Sequence, residues 1–95
     1  MEIPELESRL AGRSFSDVVT EADDFLASSP PDGKKIHDRN TLRTVLRNYV
    51  GYFPSDYQRQ LPSRSFREIK RDCNNVYVII IQTLIKAIKE HGLKV

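Results

Sequence analysis

Ninety-five residues fit one small domain, whose core buries somewhat over half of the chain's surface and leaves little room for a ligand pocket of roughly several hundred Å3. Apolar residues make up 39% and charged residues 29%, which excludes disorder and is ordinary for a soluble globular chain. The net charge of +2 conceals a split, because residues 1–32 hold eight acids against two bases (−6) and residues 33–95 thirteen bases against five acids (+8).

In chain order, the first segment is "PELESRLAG", a short helix with Pro4 in its first turn, Leu6 and Leu10 on one face and Gly12 after it. The chain begins "MEIPELESRL", with three Glu and no apolar stretch of signal-peptide length. Phe15, Val18, Val19, Ala22, Phe25 and Leu26 then follow a helical period, with Ser14 as N-cap and Asp17 at the third position. "SSPPDGKK", Ser28 to Lys35, is a loop with a turn around Pro31-Asp32-Gly33, placed where the charge changes sign.

Leu42, Val45, Leu46, Tyr49, Val50 and Phe53 repeat the helical period, with Asp38 or Asn40 as cap and Gly51 as stop. "PSDYQRQ" between Pro54 and Pro62 is a turn or a single helical turn. A shorter helix starts near Ser63 and buries Phe66, Ile69 and Cys73.

The last segment, "NNVYVIIIQTLIKAIKEHG", is the most apolar. At ~100° per residue, Asn75, Gln82, Lys86 and Lys89 fall in one narrow sector, with Val76, Tyr77, Ile80, Ile81, Leu84, Ile85, Ala87 and Ile88 opposite. Val78 and Ile79 flank the polar strip. Strand alternation would load both faces with Ile and Val, and Gln82 and Lys86 interrupt the run too soon for the ~20 apolar residues of a membrane span. The segment is therefore a mostly buried helix, closed by Gly92 as a left-handed cap with Leu93 folding back on Ile88, so that the domain ends by about Leu93. The expected fold is an all-α, compact single-domain bundle (1–95) of five to six helices around this C-terminal helix, a form that also suits one module of a longer protein.

Residues that could carry chemistry are few. Cys73 lies beside Lys70 and Arg71 near a helix start, which favours a thiolate, but His91 is eighteen residues away, ~27 Å along a helix, leaving only His37 to approach it. One Cys and two dispersed His make no metal ligand set, the four Gly build no phosphate loop, and the Ser residues show no nucleophile elbow. No catalytic residue, cofactor, metal or small-molecule substrate is expected. A single cysteine also permits no internal disulfide, in keeping with a cytoplasmic location.

What remains is charge. Asp17, Glu21 and Asp24, with Asp23 near them, point away from Phe15, Val18 and Ala22 and form an acidic face. Arg39, Arg43 and Arg47 recur at i, i+4, i+8, and Arg64, Arg67 and Arg71 at i, i+3, i+7, each opposite the apolar face of its helix. Side by side, these six would suit phosphates, and equally the carboxylates of another protein. A helix-turn-helix is not evident, since "GYFPSDYQRQLPSRSFREIKRD" has two prolines and no tight turn of that kind.

A small helical domain with one acidic and one basic surface can bind a copy of itself, or a related domain, head to tail. In size, helical layout, opposed charges and a tyrosine-containing apolar last helix running into "KEHGL", the chain resembles the death-fold class of interaction modules and the effector-associated domains of bacterial defence proteins. No diagnostic motif comes with that likeness, so it transfers no functional residue. It implies a non-enzymatic adaptor module that recruits or oligomerises a protein partner. The alternative is a small nucleic-acid-binding domain that uses the Arg stripes.

Overall fold

A computed structural model describes residues 2–28 and 36–95, with side chains described for 2–27 and 41–95. Six α-helices follow in order: α1 (Ile3–Leu10), α2 (Phe15–Ser28), α3 (Ile36–Asn48), α4 (Ser55–Gln58), α5 (Phe66–Asp72) and α6 (Asn74–His91). Two 3-10 turns, Tyr49–Tyr52 and Leu61–Ser63, continue α3 and precede α5. The described residues contain no strand, so the all-α bundle is as the periodicity predicts. None of their helices is long and apolar enough to cross a membrane.

The helix starts are set by local chemistry. The Ser14 hydroxyl accepts from the Asp17 N–H at 3.2 Å, as expected for an N-cap. Ser65 caps α5 reciprocally: its hydroxyl accepts from the Glu68 N–H (3.2 Å), and the Glu68 carboxylate accepts from the Ser65 N–H (3.1 Å). That box moves the start of α5 past Ser63, which lies in the preceding 3-10 turn. The two capping serines form an isolated antiparallel bridge, flanked by Phe15 N–H to Arg64 C=O (2.9 Å) and Phe66 N–H to Arg13 C=O (3.0 Å).

Two expected boundaries of α3 are corrected. It begins at Ile36, so Asp38 and Asn40 lie inside the helix rather than capping it. Gly51 does not stop it either; the chain tightens into the 3-10 turn, and Phe53 is the first extended residue. Of the expected Ser28–Lys35 loop, Ser28 ends α2, while residues 29–35, with the turn expected around Pro31-Asp32-Gly33, and the side chains of His37 and Arg39 lie outside the described residues.

One hydrophobic core joins the helices. Leu6 and Leu10 of α1, Phe15, Val18 and Ala22 of α2, Leu46 of α3, Phe66 and Ile69 of α5 and Ile80 and Leu84 of α6 are all nearly inaccessible to solvent. Helix α6 packs on α1, α3 and α5, whereas α2 lies on α3 and on the Leu61–Ser63 turn. Phe15 meets Phe53 edge-on at 6.2 Å and Phe66 at 6.1 Å, tying three separate segments together. Leu61 is also fully buried, although it stands alone between polar residues and carries no periodic signal. Cys73, expected in the core, is half-buried at the break between α5 and α6.

Helix α6 ends as its sequence implies. Gly92 adopts φ 71°, its N–H bonds the Ile88 carbonyl, and the N–H of buried Leu93 bonds that of Ala87. A Cβ on Gly92 would meet nothing within 4 Å, so Gly92→Ala probes the backbone conformation alone. It should cost about 1 kcal/mol. The thermal midpoint should accordingly fall by about 4–8 °C.

Candidate interaction surface

Each charged residue singled out from the sequence can be placed by what it touches. Asp23 sits at the inner edge of α2, where α3 packs, and its carboxylate is only 22% exposed. The Arg47 Nε and Nη2 donate to its Oδ2 at 2.9 and 2.7 Å, and Arg43 Nε approaches Oδ1 at 3.5 Å. Acidic and basic faces therefore meet inside the molecule at this point instead of both turning outward. Glu21 pairs with Arg13 at 2.5 Å. Asp17 and Asp24 are exposed on the outer side of α2.

The second stripe divides, because Arg64 precedes α5 and only Arg67 and Arg71 lie on that helix. Arg64 bonds Glu68 at 2.7 Å and also reaches the Gln60 side chain. Arg71 is strongly exposed and pairs with its neighbour Asp72 at 2.8 Å. Arg67 is exposed, and its guanidinium has no ion-pair partner among the described residues. The Arg39 side chain lies outside them.

The reading of Cys73 needs correction. Burial pushes its thiol up, and nearby Asp72 and Asp56 push it further in the same direction. The thiol is thus held protonated despite Lys70 and Arg71. No cluster of metal-ligating side chains occurs among the described residues.

A second constellation joins residues far apart in sequence. The Tyr77 hydroxyl donates to Glu7 Oε2 at 2.8 Å, and Lys70 Nζ lies 3.0 Å from the same oxygen. The Lys70 ammonium also stands 5.9 Å from the Tyr77 ring centroid. The Tyr77 hydrogen bond, followed by that from Lys70, holds the Glu7 carboxyl below its usual range. Beside this group a shallow groove of about 140 Å3 runs between α1 and α6, lined by Ile3, Lys70, Asn74, Val78 and Gln82 among others. Ile3, Val78 and the adjacent Ile79 are 40%, 41% and 47% exposed, the three large aliphatic side chains left in solvent among the described residues. Helical spacing puts Val78 and Ile79 at the border of the polar strip; that α1 brings Ile3 beside Val78 is not legible, because no local pattern pairs residue 3 with residue 78.

Titration should report these contacts at both ends of the pH scale. Burial, chiefly, pushes Tyr49 and Tyr57 up to about 12, and Tyr77 higher than its ordinary value as well. Tyr57 also donates to Asp72 at 3.0 Å, while the Tyr49 hydroxyl, facing Thr83, finds no partner of good geometry. Raised phenol pKa values stabilise the fold below the ordinary value of about 10 and lose that contribution as pH climbs through the folded values. Glu7, Glu68 and Asp72 are lowered, by Tyr77, the Ser65 backbone and Arg71 respectively, so their contribution is complete above the ordinary carboxylate range and is lost as pH falls below it. Tyrosinate absorbance should therefore rise together with the loss of helical circular dichroism above about pH 10, and acid unfolding should begin below about pH 4.5. Non-cooperative ionisation of Tyr49, Tyr57 and Tyr77 at the ordinary phenol value, with the helix signal intact, would contradict these contacts.

None of the protein families, curated proteins and solved structures compared with this chain matches it.

Proposed function

We propose that this chain is a non-enzymatic protein-interaction module that associates with itself or with a related helical domain. The observation that carries the reading is the groove between α1 and α6, where Ile3 and Val78 stay exposed beside the Lys70–Glu7 ion pair. An isolated exposed aliphatic is unremarkable, but two lining one groove, rimmed by charge, suit a protein contact. The groove is smaller than the roughly 300–1,000 Å3 of typical small-molecule sites, so it suits one side chain of a partner better than a metabolite.

Charge alone supplies less than the sequence promised. Asp23 with Arg43 and Arg47, Glu21 with Arg13, and Arg64 with Glu68 satisfy one another within the chain. Exposed pairs are worth ~0–1 kcal/mol each, so apolar contact would supply affinity and charge the orientation. With Arg71 bonded to Asp72 as well, Arg67 is the stripe arginine without an ion-pair partner among the described residues, a poor match for a run of phosphates. This favours the protein partner over nucleic acid. A death-fold-like adaptor role in the cytoplasm fits within this proposal.

Light scattering over a range of protein and salt concentrations, beside a mobility-shift assay with mixed-sequence DNA and RNA, tests it. Reversible, concentration-dependent association without a nucleic-acid shift is expected. A monomer under every condition, or tight salt-sensitive nucleic-acid binding, would overturn the reading.

A further inference from the structure

Helices α1 and α2 form an arm that rests on the later helices. Residues 2–28 hold seven acids against two bases, and residues 36–95 eleven bases against five acids. Helix α1 packs on α5 and α6, and α2 on α3 and the Leu61–Ser63 turn; the two barely touch each other. Leu6, Leu10, Phe15, Val18, Ala22 and Leu26 of the arm are nevertheless buried, so the body of the fold supplies their cover. Polar contacts run the same way, from Asp23 to Arg43 and Arg47, and from Glu7 to Lys70 and Tyr77.

The seam between arm and body joins two like segments. Leu10-Ala11-Gly12-Arg13-Ser14-Phe15 and Leu61-Pro62-Ser63-Arg64-Ser65-Phe66 share L-x-x-R-S-F, each followed two residues later by an acid, Asp17 or Glu68. Both capping serines, both buried leucines and both buried phenylalanines correspond, and the two rings lie 6.1 Å apart. The Ser14–Ser65 bridge is reciprocal, as about a local two-fold axis: Phe15 N–H donates to the Arg64 carbonyl and Phe66 N–H to the Arg13 carbonyl. Pairing of like with like across a two-fold is the form of contact that copies of one chain make with each other.

We infer that two copies of this chain exchange arms, so that residues 2–28 of each pack on residues 36–95 of the other. An exchanged arm meets the same apolar groups, the same ion pairs and the same seam, now between chains. The opposite net charges of arm and body favour that docking whichever chain carries them. Docking of an arm onto its own body has an effective concentration on the order of mM, so exchange competes at comparable protein concentrations. Because the buried arm must leave one body before it enters another, exchange belongs to folding, and the dimer once formed reverts only as fast as the chains unfold. The inference goes beyond the groove contact proposed above and does not depend on it.

Paired cysteine variants of the full chain, all carrying Cys73→Ser, test this. In an antiparallel pair bonded on both flanks, as Ser14 and Ser65 are, the side chains face each other at a Cα separation of about 4.5 Å, within disulfide reach. The double variant Ser14→Cys/Ser65→Cys, refolded dilute and oxidised, should close a bond within one chain. Ser14→Cys mixed with Ser65→Cys, unfolded and refolded together at about 1 mM, should give a covalent dimer on a non-reducing denaturing gel. Each single variant treated alone should stay unlinked, as should the two mixed after separate dilute refolding. An unlinked co-refolded mixture, equal linking in either control, or a double variant whose bond does not close would overturn the exchange. Should a variant fail to fold, wild type decides: refolding at about 1 mM should leave a dimer that persists on dilution, and monomer throughout would sink the inference. Native association without a cross-link would leave the groove contact standing and remove the exchange alone. A cross-link from chains that never associate in native solution would do the reverse.

Discussion

Replacing Ile80 by aspartate should abolish the cooperative thermal transition, whereas Ile79→Asp, one position earlier, should shift the melt by only about 2–4 °C. The difference lies entirely in where α6 turns its side chains: Ile80 is 1% exposed among α1, α3 and α5, and Ile79 is 47% exposed. Losing the Ile80 side chain from the core removes ~1.5–3 kcal/mol of transfer free energy. Burying a carboxylate there without a partner adds a penalty of several kcal/mol. Together these rival the ~5–15 kcal/mol that a small domain has in total. At Ile79 only a weak loss of helix propensity remains, about 0.5 kcal/mol. Circular-dichroism melts of the two variants decide the matter. Equal damage from both would mean that α6 does not present the faces described.

Asp23→Asn should lower stability by about 2 kcal/mol, while Glu21→Gln on the same helix should cost less than about 0.5 kcal/mol. Both remove one negative charge that faces an arginine. The Asp23 carboxylate is 22% exposed, Arg43 beside it 28%, and Arg43 Nε and Asp23 Oδ1 are shielded from water without a hydrogen bond of their own. Neutralising Asp23 strands Arg43 in that shielded position. Glu21 is 54% exposed, and its loss returns Arg13 largely to water. Because the Asp23 group is poorly screened, its effect should persist in ~1 M salt, where the Debye length falls to about 3 Å. Chemical denaturation of both variants at two salt concentrations gives the comparison. Equal, salt-erased effects would show that burial does not distinguish the two acids.

Asp23 also marks where local pattern stops being informative. The helical period of α2 correctly separates Phe15, Val18 and Ala22 from Asp17, Glu21 and Asp24, but Asp23 lies at the boundary, and only the approach of α3 decides its direction. The core face and end of α6 were readable because Ile80, Ile81 and Leu84 recur at helical spacing and Gly92 stands where a left-handed residue is needed. Leu61 escaped because one buried leucine in a turn has no period. The ends of α3 were misjudged for a related reason: Asp38, Asn40 and Gly51 are good boundary residues, yet the backbone stays helical through Asp38 and Asn40 and tightens around Gly51. Glu7, Lys70 and Tyr77 had no chance of being grouped, since their meeting depends on α1 crossing α5 and α6.

The bridge between Ser14 and Ser65, with its two flanking backbone bonds, has a consequence for how the protein is made. Helices α1 and α2 leave the ribosome first, but the carbonyl that receives Phe15 belongs to Arg64, and the hydroxyl that meets Glu7 belongs to Tyr77. Until those later segments have emerged, Leu6, Leu10 and Phe15 have no permanent shelter, and short helices in water are marginal on their own. Nascent chains stalled before α6 should therefore remain protease-sensitive throughout, and protection should arrive in a single step once that helix clears the exit tunnel.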